Sequence, residues 1–165
     1  MSWLNRAARG IQALTKKKEV PDNLWQKCPG CGEVLYRREL DRNQWVCGAC
    51  GHHLPFTTEQ YLALLLDEET WHETHRGIVS QDPLRFKDSK RYRDRVKAAM
   101  QQTGKEDAII TGTGRIDGLP VGLAVLDFRF MGGSMGSVMG EKIARATERA
   151  TRDQLPLIIV SGSGG

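Results

Sequence analysis

No stretch of this 165-residue chain is apolar for anything near the roughly 20 residues that a bilayer-spanning helix needs. Apolar runs such as Leu62–Leu66 and Leu157–Val160 have the length of core elements instead. An apolar segment of secretory type is missing near the N-terminus, so a reducing, cytoplasmic location is expected. Nucleotide-loop signatures are missing too: there is neither a Gly-Lys-Ser/Thr at P-loop spacing nor a G-x-G-x-x-G. Residues 1–18 contain no acid, although they carry Arg6, Arg9, Lys16, Lys17 and Lys18. The net charge of +4 therefore resides in that tail, because the other 19 of the 24 bases face all 20 acids. A near-neutral remainder excludes, on charge alone, a broad basic face for nucleic acid.

What is present describes a globular protein, with 39% apolar and 27% charged residues. The length suits one domain, or one domain with a small module. In the tail, Trp3, Ala7, Ile11 and Leu14 recur at helical spacing. This reads as a solvated or docking helix, with an acid-poor organelle presequence as the alternative.

Cysteine occurs only four times, as Cys28-Pro-Gly-Cys31 and Cys47-Gly-Ala-Cys50, with 15 residues between the pairs. That spacing fits a four-cysteine zinc site in which each pair makes one tight knuckle and all four thiolates meet one tetrahedral ion. Val34-Leu35-Tyr36 and Gln44-Trp45-Val46 are expected to pair as a short hairpin, making a zinc ribbon. A module of about thirty residues buries too little surface to fold unaided, and bound metal supplies the difference. Two disulfides or a redox C-x-x-C are the competing readings. His52 and His53 are not needed, since four cysteines complete the shell. His72 and His75, at i and i+3, read as surface polar residues, with a second metal site as the alternative.

The chain divides on this reading into a basic tail (1–23), the ribbon (24–54), a helical connector (55–105) and an α/β segment (106–165). Thr57 and Gln60 stand at capping-box spacing and open a helix that runs to about Asp67. After the Asp82-Pro83 breaker, residues 88–102 read as a helix with Tyr92, Val96, Ala99 and Met100 on one side and Gly104 as its C-cap. Ala108–Ile116 and Val121–Phe128 are strands joined by Asp117-Gly118, a strong hairpin signal. A helix over 137–153 would put Val138, Ile143, Ala146 and Ala150 against the sheet, and Leu157–Ser161 forms the next strand. Strand, strand, glycine loop, helix, strand makes an α/β layered core with a crossover connection.

Two glycine loops need a chemistry, Gly132-Gly133-Ser134-Met135-Gly136 and Ser161-Gly162-Ser163-Gly164-Gly165. A nucleophile elbow centred on Ser163 would need Gly where Ser161 stands, and no His or Asp follows it. What remains is backbone chemistry: N–H groups after a buried strand and at a helix start converge on one point and stabilise an oxyanion. Plain turn formation is the competing account of the first loop.

Asp127-Phe-Arg-Phe-Met-Gly-Gly-Ser-Met-Gly-Ser137, Gly140-Glu-Lys-Ile143 and Ile159-Val-Ser-Gly-Ser-Gly-Gly165, behind a four-cysteine ribbon, resemble the β subunits of bacterial acetyl-CoA carboxylase carboxyltransferases. The resemblance runs from the N-terminal Met-Ser-Trp to the last residue and implies that more chain follows Gly165 in that family. An N-terminal portion is expected, with an incomplete crotonase-like (ClpP/crotonase) domain of β-β-α turns after the ribbon. The implied reaction carries a carboxyl group from carboxybiotin, on a biotin carboxyl carrier protein, to acetyl-CoA. Malonyl-CoA results, the first committed step of fatty acid synthesis. Gly164 and Gly165 are implied to hold the thioester oxygen as an enolate forms, and Gly132, Gly133 and Ser134 to shape the acyl-CoA site. No protein base is implied, because biotin itself takes the methyl proton. The implied partners are a carboxyltransferase α subunit in an α2β2 assembly, the carrier protein and an ATP-binding biotin carboxylase. Gly162 stands where the family more often has Ala.

A zinc-ribbon nucleic-acid-binding module is the rival reading, since Trp45, Arg37, Arg38 and Arg42 offer an aromatic and three bases for weak phosphate contact. Another acyl-CoA enzyme on the crotonase fold, a hydrolase or isomerase, is the second rival; it would need a carboxylate base beyond residue 165.

Overall fold

The computed structural model describes residues 24–164. The basic tail and its helical periodicity lie outside the described residues, as does Gly165. The chain forms two compact units that meet in sequence between Pro55 and Phe56. Among the described residues no helix is long and apolar enough to cross a membrane.

In the first unit, β1 (Trp25–Lys27) pairs antiparallel with β2 (Val34–Tyr36), with Gln26 opposite Leu35. The chain then enters a helix, α1 (Arg37–Arg42), which buries Leu40. This differs from the expected pairing of residues 34–36 with 44–46. A Cys-x-x-Cys knuckle folds the chain back on itself, so the strands flanking one knuckle pair with each other. The second knuckle does the same on a smaller scale, with a lone bridge between Val46 and His53. Between them Arg-Arg-Glu-Leu-Asp-Arg is good helix-forming sequence with one apolar residue facing inward. Leu40, Leu54 and the sulfur atoms of Cys28 and Cys47 make the small core, with Leu35 and Trp45 against it.

The second unit opens on α2 (Thr58–Leu65), and the expected capping box is formed. The Gln60 N–H donates to Thr57 Oγ1 at 3.2 Å, and the Thr57 N–H donates to Gln60 Oε1 at 2.8 Å. β3 (His72–Thr74) follows, then α3 (Tyr92–Thr103), closed by Gly104 at φ 70°. This helix starts four residues later than the sequence pattern suggests. Asp88 explains the delay: its carboxylate accepts from the Lys90 N–H and from Arg95, and Lys87 bridges Arg91, which holds 88–90 as a bend before the helix.

β4 (Ile109–Ile116) and β5 (Leu119–Leu126) form the long hairpin, with Ile116 opposite Leu119. Asp117 and Gly118 both have positive φ, 48° and 78°, as a two-residue turn of this kind requires. The Asp67 carboxylate accepts both of their N–H groups, at 3.0 and 2.8 Å. From β5 a tight turn and a short 3₁₀ segment (Met131–Gly133) lead into α4 (Ser137–Arg152), which crosses to β6 (Leu157–Val160), parallel to β5. The sheet order is β3-β4-β5-β6.

β5 is the most buried strand, and Ile109, Ala124, Leu126, Phe130 and Met139 pack with Ala99 and Ala108 into the core. Val138, Ala146 and Ala150 of α4 are buried as its apolar spacing predicts. Lys142 is buried with them, 3% exposed, its Nζ donating to the Ile109 carbonyl at 3.3 Å.

Candidate metal centre and glycine-loop site

Backbone bonds build the two knuckles alike. The Cys28 N–H donates to the Glu33 carbonyl (2.8 Å) and the Gly32 N–H to the Cys28 carbonyl (2.9 Å). At the second knuckle the Cys47 N–H donates to His52 and the Gly51 N–H to Cys47, both at 2.8 Å. The four sulfur atoms all lie within 4.8 Å of one another, Cys28 and Cys47 buried, Cys31 and Cys50 exposed. Cys28 Sγ is 3.7 Å from Cys50 Sγ, and Cys31 Sγ is 3.8 Å from Cys47 Sγ. Four Zn–S bonds of about 2.3 Å in a tetrahedron place the sulfurs about 3.8 Å apart. A disulfide needs about 2.05 Å. The sulfurs are thus spaced for one shared ion, and Cys28, Cys31, Cys47 and Cys50 form a structural zinc site.

The thiols also differ electrostatically. The His52 N–H favours the Cys50 thiolate, but the crowd of Cys31, Cys47 and Cys28 together with burial pushes Cys50 up to about 12. Four thiolates so close need a cation among them. His52 and His53 are not part of the set, and among the described residues it is the one group arranged to hold a metal. His75 is engaged elsewhere: its Nδ1 lies 3.0 Å from Thr111 Oγ1, and burial lowers its pKa. Trp45 serves the ribbon itself. Its indole N–H donates to Asp41 at 2.7 Å, and the Arg37 guanidinium lies 5.5 Å above its ring.

The second site is backbone against backbone. Met131, Gly132 and Gly133 have φ of 51°, 68° and 66°, three consecutive left-handed residues. A Cβ on Gly133 would stand 2.0 Å from the Gly162 carbonyl oxygen, so the first loop presses directly on the terminal one. The Gly164 N–H donates to the Gly132 carbonyl at 3.0 Å, and the Gly133 N–H to Phe130, also at 3.0 Å. The structure thus brings Gly132, Gly133 and Gly164 together. Ser134 sits at the exposed edge, its N–H donating to Met131 at 3.3 Å. α4 begins directly behind the loop with Gly136 at its N-cap and no side chain capping it.

The motif from 127 to 137 also hides a charged pair that pattern reading does not single out. Asp127 is 1% exposed and is clasped by Arg129. A buried carboxylate is invisible in an Asp-Phe-Arg triplet, whose alternation looks like an ordinary strand end.

With this arrangement in hand, residues 75–165, more than half of the chain, match the family described as carboxyl transferase domain. The chain belongs to that family, and its fold is the crotonase-like one of carboxyl transferases. Residues 25–50 match the acetyl-CoA carboxylase zinc finger domain. The acetyl-coenzyme A carboxylase carboxyl transferase subunit beta of Acaryochloris marina is 48% identical over 160 residues, covering 97% of this chain and 53% of that protein. Its counterpart from Citrifermentans bemidjiense is 50% identical over 169 residues, covering 100% and 59%. A crystal structure of transcarboxylase 12S with methylmalonyl-coenzyme A bound superposes with a TM-score of 0.53 at 26% identity, over 78% of this chain and 21% of that one. The chain spans about half the length of the curated relatives it matches.

Proposed function

We propose that the complete protein is the β subunit of an acetyl-CoA carboxylase carboxyltransferase, which moves a carboxyl group from carboxybiotin to acetyl-CoA. The observation that carries this reading is near-half identity to such subunits across the ribbon and both glycine loops together. A carrier protein brings the biotin, an α subunit completes the site in an α2β2 assembly, and a biotin carboxylase charges the biotin, all in the cytoplasm.

On this reading the two loops cradle the acyl thioester. Gly132, Gly133 and Ser134 shape its pocket, and the Gly164–Gly165 amides face the thioester oxygen as it gains enolate character. Because the Gly164 N–H is donated to the Gly132 carbonyl, the oxyanion bond is assigned first to the Gly165 N–H. Carboxybiotin, brought by the carrier protein, would supply both the carboxyl group and the base for the methyl proton. The protein then needs no carboxylate base in the loops. Asp127 is clasped by the Arg129 fork, which overcomes burial and holds its pKa below the usual carboxylate range. Against the nucleic-acid reading stands the engagement of Trp45 within the ribbon, its N–H donated to Asp41 and its ring beneath Arg37.

The test is malonyl-CoA-dependent carboxylation of biocytin, the reverse reaction, by the complete chain assembled with its α subunit. Turnover with malonyl-CoA that requires both subunits supports the reading. Absence of turnover from a correctly assembled, zinc-loaded complex overturns it.

A further inference from the structure

The turn that carries the chain from β5 into the first glycine loop is organised by one buried carboxylate. Asp127 Oδ1 accepts from the Arg129 N–H (3.0 Å) and Nε (2.9 Å), and Oδ2 accepts from Arg129 Nη2 at 2.6 Å. Both oxygens of Asp127 are thereby used. Its own N–H donates to the Ala108 carbonyl, just before β4, at 2.8 Å, which anchors the residue beside the hairpin. From there a ladder of turn bonds climbs to the site. The Phe130 N–H donates to the Asp127 carbonyl, the Gly133 N–H to the Phe130 carbonyl, each at 3.0 Å, and the Gly132 carbonyl then receives the Gly164 N–H.

Three consecutive residues at positive φ form a conformation that persists only where its surroundings over-determine it. At one end the sheet and the Asp127–Arg129 fork supply that constraint; at the other the loop abuts the Gly162 carbonyl. Arg129 is itself held from outside. Its Nη2 lies 3.9 Å from Glu59 Oε2, and Glu59 is ion-paired with Lys105. The four charges tie the start of α2 and the end of α3 to the root of the glycine loop. A planar, doubly bonded fork fixes direction as well as distance, which a single ion pair does not.

We propose that Asp127 and Arg129 are positioning residues for the carboxyl transfer: their fork presets the Gly132–Gly133 loop and, through the Gly132 carbonyl, the Gly164 end of the terminal loop. This rests on the functional reading above for what the loops do, and adds which side chains set their spacing. Neither residue touches the reacting atoms.

The test uses Asp127→Asn, Arg129→Gln and Arg129→Lys in the complete chain assembled with its α subunit. Asparagine keeps the shape and one acceptor but loses the charged fork. Asp127→Asn and Arg129→Gln should lower kcat roughly 10–100-fold, the scale of a misplacement near 1 Å. KM for the acyl-CoA should stay within about twofold, and Arg129→Lys should recover part of the loss. Zinc content and assembly, measured on the same preparations, separate misplacement from unfolding, as does the kcat ratio to wild type on cooling. A merely structural role would restore that ratio at low temperature. An independent readout is amide hydrogen exchange of segments 128–134 and 161–164, expected to quicken about tenfold in Asp127→Asn. Unchanged exchange overturns the proposal whatever the activity. So does a kcat within twofold of wild type in both neutralising variants. Quickened exchange in a protein whose wild type never turns over would count against the functional reading and leave the positioning role standing.

Discussion

The Gly164 N–H donates to the Gly132 carbonyl across 3.0 Å, joining two glycine loops that lie 32 residues apart in the chain. The bond spans the end of β6 and the segment before α4. It ties the two loops together. The close approach beneath it, of Gly133 to the Gly162 carbonyl, leaves no room for a side chain on Gly133. Glycine in the first loop thus answers two separate demands, a left-handed backbone at Gly132 and both that backbone and empty space at Gly133.

These demands predict unequal effects of the same substitution. Gly132→Ala meets only the backbone cost, about 1 kcal/mol, since nothing lies within 4 Å of an added Cβ. Gly133→Ala adds a clash with backbone that cannot swing aside, so it should cost about 2–3 kcal/mol more or displace the loop. Denaturant melts of the two variants check this. Equal destabilisation would show that the loops do not press on each other as described.

How much of this was legible from residue order varies with locality. The Cys-x-x-Cys pairs, the Thr57–Gln60 capping box and the Asp117-Gly118 turn are short-range signals, and each appears where the pattern places it. The ribbon pairing was not legible, because residues 34–36 have two strand-like partners at similar distance along the chain. Only the fold-back of each knuckle chooses Trp25–Lys27. Asp127 and Lys142 were missed for another reason. Charged residues are assigned to the surface by default, and their burial is set by Arg129 and by the Ile109 carbonyl, neither of which a helix or strand period reveals. The family resemblance implied Gly164 and Gly165 as one glycine pair and Gly132, Gly133 and Ser134 as another loop. The bond by which the Gly164 N–H reaches the Gly132 carbonyl is not visible in residue order.

Zinc should be present at one equivalent per chain. The 3.7 and 3.8 Å sulfur separations suit a single tetrahedral ion and no disulfide. Metal analysis after mild dialysis checks the stoichiometry. Replacing Cys47, one of the two buried ligands, with Ser should drop it well below half an equivalent, because its sulfur also fills the small ribbon core. Retention of a full equivalent by Cys47→Ser would contradict a four-sulfur site.

Glu59 provides a pH-dependent contribution. Burial works against its charge, yet Lys105 and hydrogen bonds at the start of α2 bring its pKa down to about 2 from an ordinary value of 4.5. A carboxylate whose folded pKa lies below its unfolded one stabilises the fold above the unfolded value and loses that contribution as pH falls through the folded one. The window is therefore pH 4.5 down to about 2. Glu59 is largely exposed, so solvent screening limits the gain to about 1 kcal/mol or less. Glu59→Gln should melt slightly below wild type at pH 7, with the gap closing across that window. A gap that stays constant down to pH 2 would assign the effect to lost packing.

Lys142 carries the larger electrostatic consequence. It is buried on α4 and donates to the Ile109 carbonyl. Asp107, just before β4, has a buried Oδ1 with no hydrogen-bond partner, and burial raises its pKa while the Lys142 charge pulls it back. In Lys142→Met that restraint is gone, and the Ile109 carbonyl loses its donor. The Asp107 pKa should rise further. A carboxyl with a raised folded pKa stabilises the fold below its unfolded value and loses that contribution as pH rises through the folded one. Lys142→Met should therefore be destabilised by about 1–3 kcal/mol at pH 7.5 and by less at pH 5. Adding Asp107→Asn removes the titrating group, so the double variant should regain part of the stability and lose the pH dependence. Melts of the single and double variants at the two pH values decide it. If Lys142→Met is equally destabilised at both, Asp107 does not feel the lysine, and the buried ammonium acts only through the Ile109 carbonyl.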